Sequence, residues 1–345
     1  MNFSHLCSEV IYSNGVTATG TTIDLGSKTG TIVLSAEDAD PLEGYLLKIS
    51  DLVSISLNDY IGAGEVYVLD GVVKSIQRDT DSTGLNRVII NFGDEIEQLN
   101  STEMTISEIA DQTFSERWTA IEANLNLTLS LLKSGTLGEP EFTFPGIDIF
   151  ETAVGDTVLE TMQGELGWLY TDNVGVIWPV CHGYLADQLA GTPSWTISNT
   201  VTSTEIPPTY INRSSSSDSI VSTINAALTW DPGTTISFTD TDQADLYGNS
   251  TLDVEVNLAD EDNLSNWAFY GLTLTGQQNI QALSLDAINH ANSELYDVYY
   301  MNPTDCVLVN VQQGATSVNE NYLISRVTHT ITPNTWQTDL ELWRN

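Results

Sequence analysis

Short runs of alternating or continuous apolar residues, separated by glycine, proline and aspartate, follow one another along much of this chain. Alternation with a period of two indicates β-strands, because successive side chains of a strand point to opposite faces. Many short strands at regular spacing predict a small barrel or sandwich in the first hundred residues. The predicted strands there are 21–25, 30–34, 45–49, 52–57, 65–77 and 86–94, with a loop over 79–84.

The period changes between residues 104 and 134, where apolar residues recur at spacings of three and four. This spacing predicts one or two helices, capped by Thr105 or Ser107 and ended by Gly135. Two prolines and three glycines then make 135–147 the best linker candidate. The apolar positions of the helical pattern are Ile106, Ile109, Ala110, Phe114, Trp118, Ile121, Leu125, Leu129 and Leu132.

The second half of the chain alternates between the two periods. A helix over 154–162 is predicted to lead into a strand over 166–170, a tight turn over 171–175 and a returning strand over 176–178. Residues 186–258 are predicted to be β and 260–275 helical. The chain closes in a predicted hairpin around the turn Thr332–Thr335, with His329 and Trp336 packed across its strands.

Charge is the strongest compositional signal, since 47 acidic residues face only ten basic ones and give a formal net charge of −37. The excess is spread along the whole chain. A negative surface repels nucleic-acid phosphates, which argues against DNA binding but is compatible with DNA sliding past. A halophilic or marine source is an alternative explanation, because about 1 M salt shortens the Debye length to roughly 3 Å and mutes self-repulsion.

Nothing in the sequence predicts a membrane span or a secretion signal. No run of 18 apolar residues occurs, and the first residues lack a basic segment followed by an apolar one. Cys7, Cys181 and Cys306 are far apart and are expected to be reduced thiols. Neither they nor the adjacent Cys181 and His182 predict a metal site.

Candidate chemistry is weak throughout. Asp240, Asp242 and Asp245 resemble the start of a calcium loop, but the sixth position lacks glycine and the twelfth lacks glutamate, so a solvated turn is expected. Asp260, Glu261 and Asp262 stand where acids complement a helix dipole. The motifs of serine hydrolases, zinc proteases and phosphate-binding loops are missing from the sequence. We therefore expect no catalytic residue, no cofactor and no metal.

Several local patterns occur in a fixed order. Leu69–Val73 and Asp94–Leu99 come first, followed by the segment from Glu165 to Ile177, a loose match over 220–228, and a turn with Asp240. Together with the closing hairpin they resemble the minor tail proteins that form the tail-tip or baseplate hub of long-tailed viruses of bacteria and archaea. Pro179 departs from the pattern, since a basic residue commonly stands near that place. The positions that carry the resemblance are Asp70, Gly71, Glu165, Gly167, Tyr170, Asp172, Gly175, Tyr247, Gly248, His329, Pro333 and Trp336.

The resemblance implies a mainly β protein with short helices. Two tube-like β-barrel units would be joined by a helical segment and a small α/β insert, as in baseplate hubs. The implied parts are a barrel over 1–103, a helical segment and linker over 104–147, a small α/β segment over 148–185, and a second barrel over 186–345 with a helical insert at about 260–275.

The same resemblance implies a structural virion protein, without enzyme activity, at the viral tail tip. A homotrimer would form a pseudo-sixfold ring that adapts the sixfold tail tube to a threefold tip and conducts or gates DNA during infection. Its partners would be its own copies and the tail-tube, distal-tail, tape-measure and tip or receptor-binding proteins, with DNA only as passing cargo. Assembly would take place in the host cytoplasm.

Two other classes of protein stay open. An extracellular acidic adhesin or surface-layer module would share the acidic, β-rich composition, and a signal peptide would favour it. A carbohydrate-active enzyme needs two carboxylates converging in a cleft, and with 47 acidic residues the sequence cannot single out such a pair.

Overall fold

A computed structural model describes most of the chain as a β protein with six short helices. The described residues are 7–16, 18–19, 22–23, 26–36, 42, 47–58, 65–80, 84–94, 96–99, 102–108, 110–124, 142–172, 177–199, 205–213, 221–274, 280–286, 298, 300–313 and 316–344.

The elements of the first half are mostly strands, with helices inserted after residue 95. They are β1 (Cys7–Gly15), β2 (Ala18–Thr19), β3 (Thr22–Ile23), β4 (Ser27–Ala36), β5 (Leu52–Asn58), β6 (Glu65–Thr80), β7 (Asn86–Gly93), α1 (Ile96–Leu99), β8 (Glu103–Glu108), β9 (Gln112–Thr113), α2 (Phe114–Asn124), β10 (Thr143–Phe144), β11 (Ile147–Ala153), α3 (Val154–Glu165) and β12 (Trp168–Thr171).

The second half continues in the same manner and ends in long antiparallel strands. Its elements are β13 (Ile177–Val180), α4 (His182–Ala190), β14 (Trp195–Ser198), β15 (Pro208–Arg213), β16 (Thr223–Leu228), β17 (Asp231–Thr239), α5 (Thr241–Tyr247), β18 (Thr251–Val256), α6 (Glu261–Leu274), β19 (Ile280–Asp286), β20 (Cys306–Gln313), β21 (Thr316–Ile331) and β22 (Trp336–Trp343).

One eleven-stranded sheet joins the two ends of the chain. Its main path runs β15-β19-β22-β21-β1-β4-β7-β6-β5. The contact between the halves is the antiparallel pair of β1 and β21, in which Tyr12 faces His329. The sequence pattern missed β1, because Cys7–Gly15 mixes polar and apolar residues without a clean period.

The C-terminal side of this sheet turns back on itself. β20 pairs with the first part of β21, and β14 lies parallel to β20. Ile206, two residues before β15, then bonds to β14 through its N–H to Thr196 O at 2.9 Å and its C=O to Ser198 N at 3.0 Å. The path that runs from β15 through β19, β22, β21 and β20 to β14 therefore ends at Ile206, two residues before β15.

Separate apolar clusters lie on the C-terminal strands and on the N-terminal strands of the sheet. The C-terminal cluster contains Ile197, Ile206, Leu283, Leu285, Val298, Met301, Val307, Val309, Val311, Val318, Tyr322, Ile324, Val327, Leu340 and Leu342. The N-terminal clusters are smaller and contain Val10, Tyr12 and Phe92, and Leu34, Leu42, Val73, Val88 and Ile90. Helices α2, α3, α4 and α6 pack on a further cluster that includes Trp168, Trp267 and Trp343.

The predicted helix start at residue 104 is wrong. Residues 103–108 form strand β8, and the helix α2 begins only at Phe114. Met104 and Ile106 are buried while their neighbours Glu103 and Thr105 are exposed, which is the period of a strand. The spacing from Ile106 to Ile109 imitated a helix because the pairing with β11 is not visible in the local sequence. The pattern over 125–134, Gly135 and the first part of the linker lie outside the described residues.

Other predicted elements are confirmed, with shifted ends. Helices α3 and α6 and the closing hairpin lie where the periodicity placed them, and the turn is held by Thr332 N–H donating to Thr335 O at 2.8 Å. Residues 47–49 are not part of a strand, against the prediction for 45–49. The chain is mostly β with few helices, as expected, and its division at residues 103, 147 and 185 stays a prediction.

Candidate functional site: a buried polar junction and exposed sheet edges

Glu165, one of the residues that carry the family resemblance, ends α3 and is completely buried. Its Oε1 lies 2.7 Å from Nδ1 of His182, the first residue of α4, and its Oε2 accepts the N–H of Phe142 at 3.0 Å. The Phe142 ring stacks on the imidazole at 4.3 Å. A buried carboxylate is tolerated only when it is hydrogen-bonded, so these contacts fix α3, α4 and the segment before β10 against one another.

Two backbone features aim the chain from α3 into β12. Leu166 has a left-handed φ of 53° and its N–H bonds to Gln163 O, which ends the helix. A Cβ on Gly167 would overlap the carbonyl oxygen of Val180, so the close approach of β13 requires glycine here. The Tyr170 hydroxyl, further along β12, lies 3.4 Å from Thr304 Oγ1, and burial raises the pKa of this tyrosine above its usual range.

A network of buried polar side chains joins β12 to the N-terminal sheet. Lys28 is fully buried, and its Nζ donates to the Asp172 carbonyl at 2.5 Å. Asp94 accepts the Lys28 N–H at 2.8 Å and the Thr171 hydroxyl at 2.7 Å, while burial raises the pKa of this carboxyl. Asn14 Nδ2 donates to the Thr171 carbonyl at 2.6 Å. Four distant segments therefore meet around Thr171.

The sequence missed most of this junction. Asp94 stood in a recognised motif, and its Oδ1 does accept the Ile96 N–H at 3.1 Å where α1 begins. Lys28 carried no signal, because a lysine in a strand is ordinarily solvated. The Asp172 carboxylate accepts Trp178 Nε1 at 2.8 Å, across the turn whose tip, with Gly175, lies outside the described residues.

His329 and Trp336 are packing partners across the closing hairpin, as predicted. Trp336 Nε1 lies 3.1 Å from His329 Nδ1, which is also 2.8 Å from Thr338 Oγ1. The imidazole is 1% exposed and lies 4.7 Å from the Tyr12 ring. Burial lowers the pKa of His329 to about 3. Pro333 stands in the exposed turn between the strands.

The remaining resemblance positions have structural surroundings. Asp70 and Gly71 lie in β6, where a Cβ on Gly71 would approach Phe92 Cδ2 to 3.1 Å and Gly93 O to 3.2 Å. Tyr247 ends α5 and Gly248 follows with φ 91°.

The predicted solvated turn around Asp240 is instead the start of a helix. Asp240 caps α5 by accepting the Gln243 N–H at 3.0 Å, so Asp242 and Asp245 lie on a helix. Asp260 caps α6 in the same way, at 2.8 Å from the Asn263 N–H. Across the described residues, no three His, Cys, Asp or Glu side chains are grouped so that they could hold a metal ion.

Exposed apolar side chains lie at both ends of the main sheet path. β5 ends the main sheet path and, in the described part of the chain, pairs only with β6. Next to this edge, Leu52 is 85% exposed and Ile49 is 66% exposed. Tyr210 on β15, the other end of the path, is 56% exposed. Exposed apolar residues beside an unpaired strand edge are typical of protein–protein contact surfaces.

The negative charge of the composition is carried to the surface. Among the described residues, two basic side chains (Lys28 and Arg117) and two acidic ones (Asp94 and Glu165) are buried, so burial leaves the acidic excess unchanged. None of the described helices combines the length and the apolar character that crossing a membrane would require.

No protein-family model matches the chain, and no curated protein matches it in sequence. Solved structures do match in fold. A tail protein from Neisseria meningitidis MC58 aligns with a TM-score of 0.66 at 11% identity, covering 98% of this chain and 92% of its own. The 43 kDa tail protein of prophage MuSo2 from Shewanella oneidensis aligns with a TM-score of 0.64 at 11% identity, covering 98% and 94%.

A third match comes from a secretion system. The Escherichia coli c3393 protein aligns with a TM-score of 0.54 at 10% identity, over 98% of this chain and 73% of its own. It is described as a component of the type VI secretion system with structural similarity to the T4 bacteriophage tail proteins gp27 and gp5. The chain therefore shares the fold of these tail proteins and of this type VI secretion component.

Proposed function

We propose that this chain is a structural, non-enzymatic protein of a viral tail tip, where three copies form the hub ring. The observation that carries the proposal is the shared fold, which extends over 98% of this chain and 94% of a prophage tail protein. A match of both whole chains argues for a shared architecture rather than a shared module.

Two tube-like barrels in each chain would make the ring pseudo-sixfold. The returning strand path from β15 to Ile206, with its own apolar cluster, supports one barrel. The strands β1, β4, β5, β6 and β7, which pack on separate clusters, support the other. Six barrels from three chains would then match a sixfold tail tube on one side and a threefold tip on the other.

Contacts between copies would use the β5 end of the sheet. Pairing of the β5 edge with a neighbouring copy would satisfy its outward backbone groups and bury Ile49 and Leu52. The tail-tube, distal-tail, tape-measure and tip or receptor-binding proteins would dock on the remaining surfaces of the ring.

The acidic surface suits a channel for DNA. With a formal charge of −37 on each copy, a lumen lined by this protein would repel phosphates and let DNA pass without binding. Assembly in the host cytoplasm and residence in the virion tail tip complete the proposal. A salt-rich host would screen the repulsion between copies.

The first experiment measures the molar mass of the purified chain by light scattering at low salt and at about 2 M salt. We expect a species of three times 37.7 kDa, favoured by high salt because screening weakens the repulsion between acidic copies. A monomer at every salt and protein concentration, including after mixing with the cognate tail-tube protein, would contradict the trimeric ring.

The second experiment tests the β5 edge. The double variant Ile49→Ser and Leu52→Ser should shift the trimer toward monomer without changing the circular dichroism spectrum. Phe150→Ser is the matched control, because Phe150 is 74% exposed but lies on β11, in a separate two-stranded sheet. Equal trimer loss in both variants would show that the β5 edge is not the contact.

A hub of a type VI secretion spike is the second candidate, favoured by the match to the c3393 protein. Mass spectrometry of purified tailed particles from the source organism separates the two. Detection of the chain in DNA-filled virions supports the tail tip, whereas detection only in contractile secretion particles supports the spike.

A further inference from the structure

The small sheet β17-β16-β18 has two outer strands that differ in composition. In the described part of the chain, β17 and β18 each pair only with β16. β18 carries Asp253 and Glu255 at exposed positions, and charged side chains on an outer strand commonly protect it from pairing with other chains. From Thr234 to Thr239, β17 carries neither a charge nor a proline. The outer edge of β17 therefore lacks this protection.

An apolar surface lies beside this edge. Ile236 and Phe238 of β17 are half-buried against the cluster that α6 covers, while Phe269 of α6 is 54% exposed. The centre of the Phe269 ring lies 6.2 Å from that of Phe238, so Phe269 stands on the side of α6 next to β17. We call Ile236, Phe238 and Phe269, together with the backbone of 235–239, the β17 surface. Apolar side chains exposed beside an unpaired strand are typical of contact surfaces.

The backbone of the β17 surface can accept another strand. Residues 235–239 pair with 223–227 of β16 without a register shift, so this stretch of the edge is regular. A strand added there would place alternate side chains against the apolar residues of the β17 surface. Its other side chains would lie beside the exposed Thr235, Ser237 and Thr239. The geometry therefore suits an extended segment with apolar and polar residues in alternation.

The charge around the β17 surface indicates the kind of partner. Residues 221–274, which form this sheet with α5 and α6, contain nine acidic residues and no lysine, arginine or histidine. None of the nine is buried. This field attracts a basic segment and repels nucleic acid, and it also repels a second copy, which carries the same excess. The nine are Asp231, Asp240, Asp242, Asp245, Asp253, Glu255, Asp260, Glu261 and Asp262.

We propose that the β17 surface binds an extended, basic segment of a partner protein, which adds to the β17-β16-β18 sheet as a fourth strand. Apolar side chains of the segment cover Phe238 and Phe269, and its lysine or arginine side chains lie in the field of the surrounding carboxylates. The inference does not rest on the trimeric ring, because every residue of the β17 surface belongs to one chain.

The first test measures binding of a probe peptide to the full chain by fluorescence anisotropy at about 0.1 M salt. The probe is a fluorescein-labelled peptide of about seven residues in which lysine alternates with valine and phenylalanine. A comparison peptide has the same side chains but a methyl group on every backbone nitrogen. We expect it to bind at least about tenfold more weakly, because it cannot donate hydrogen bonds to the β17 edge. Equal binding of the two peptides, or no binding of the first, would overturn the proposal.

A pair of matched variants then separates the β17 surface from general charge attraction. Phe269→Ser should weaken binding of the unmethylated peptide about tenfold, because the peptide loses an aromatic contact. The control is Phe150→Ser, which removes a 74% exposed ring from β11, outside this sheet. Both variants keep the formal charge, and the control should change binding by less than about twofold. Equal weakening, or none in either variant, would show that the peptide binds elsewhere.

Hydrogen exchange of the native chain locates the peptide without any substitution. Bound peptide should slow the exchange of backbone amides in 234–239, because they become paired and covered. Slower exchange in β5 with no change in 234–239 would overturn the assignment. Light scattering of the chain alone checks the remaining occupant. If Phe269→Ser lowers the molar mass, the β17 surface binds a second copy and the proposal of a basic partner is wrong.

Discussion

The two ends of the eleven-stranded sheet differ in how their edge strands are covered. At the C-terminal end, the strand path returns to Ile206, and Leu283, Leu285 and Leu340 are completely buried. At the N-terminal end, β5 pairs only with β6 in the described residues, and Leu52 is 85% exposed. An unpaired strand edge must be covered by the chain itself or by another molecule. We propose that the C-terminal end stabilises the fold and that the N-terminal end takes part in assembly.

The largest expected effect comes from a substitution at the C-terminal end of the sheet, where the strand path returns to Ile206. Leu340→Ala removes a side chain that faces Val327 on β21 and Leu283 on β19, and it should lower the free energy of unfolding by about 2–5 kcal/mol. Urea denaturation measures the loss. The matched variant Leu52→Ala at the open end should change stability by less than about 0.5 kcal/mol. Equal losses at the two sites would refute the comparison.

The next effect concerns Asp305, beside the start of β20. Burial raises the pKa of this carboxyl to about 6, although Oδ2 accepts the Asn302 N–H at 2.6 Å. The folded state therefore binds the proton more tightly than the unfolded state, and stability decreases as the pH rises through about 6. Asp305→Asn should be more stable than the native chain by up to about 3 kcal/mol at pH 8.

Measurement at low pH is the control for the prediction on Asp305→Asn. Below about pH 3 the native carboxyl is largely protonated in both states, so the advantage of Asp305→Asn should disappear. Urea midpoints collected from about pH 3 to pH 8 give this profile. A constant difference across the range would mean that titration of Asp305 is not responsible.

A smaller effect of opposite sign belongs to His329. Its pKa is about 3 in the fold, so the unfolded state binds more protons below about pH 6.5 and stability falls as the pH drops. Between pH 7.5 and pH 5 the contribution is about 2 kcal/mol. His329→Gln should flatten this part of the profile in thermal unfolding. A native chain with no loss of stability in this range would contradict the buried neutral imidazole.

The smallest expected effect on stability comes from a substitution on β5, at the N-terminal end of the sheet. Leu52→Ser should leave the free energy of unfolding of the monomer within about 0.5 kcal/mol, because the side chain is already solvated. The same change should lower the trimer fraction in sedimentation velocity, because the proposed contact loses apolar area. Unchanged association with unchanged stability would remove Leu52 from the proposed interface.

Local pattern predicted those elements whose partners lie nearby in sequence. The hairpin of β21 and β22 was visible because its two strands and turn are consecutive, and the contact of His329 with Trp336 followed from that geometry. Helix α6 was visible for the same reason, since its apolar face repeats along a single segment. The strand β8 was misread because its partner, β11, begins 39 residues after β8 ends.

The candidate site was harder to predict than the fold. Glu165 and Gly167 were singled out by resemblance, but the pairing of Glu165 with His182 depends on how α3 ends and where α4 begins. Lys28 and Asp94 illustrate the limit most clearly. Both are charged residues that a sequence pattern assigns to the surface, and burial becomes acceptable only because distant groups hydrogen-bond to them.

The sequence by itself determined the β-rich character, the negative charge and the closing hairpin, because these follow from composition and short-range periodicity. Tertiary structure alone decided that β1 pairs with β21, that the C-terminal strands return to Ile206, and that Leu52 stays exposed at the opposite edge. The physical reason is that hydrogen bonds between strands are specified by register and closure over hundreds of residues, whereas the alternation of side chains within a strand is the same whichever partner it finds.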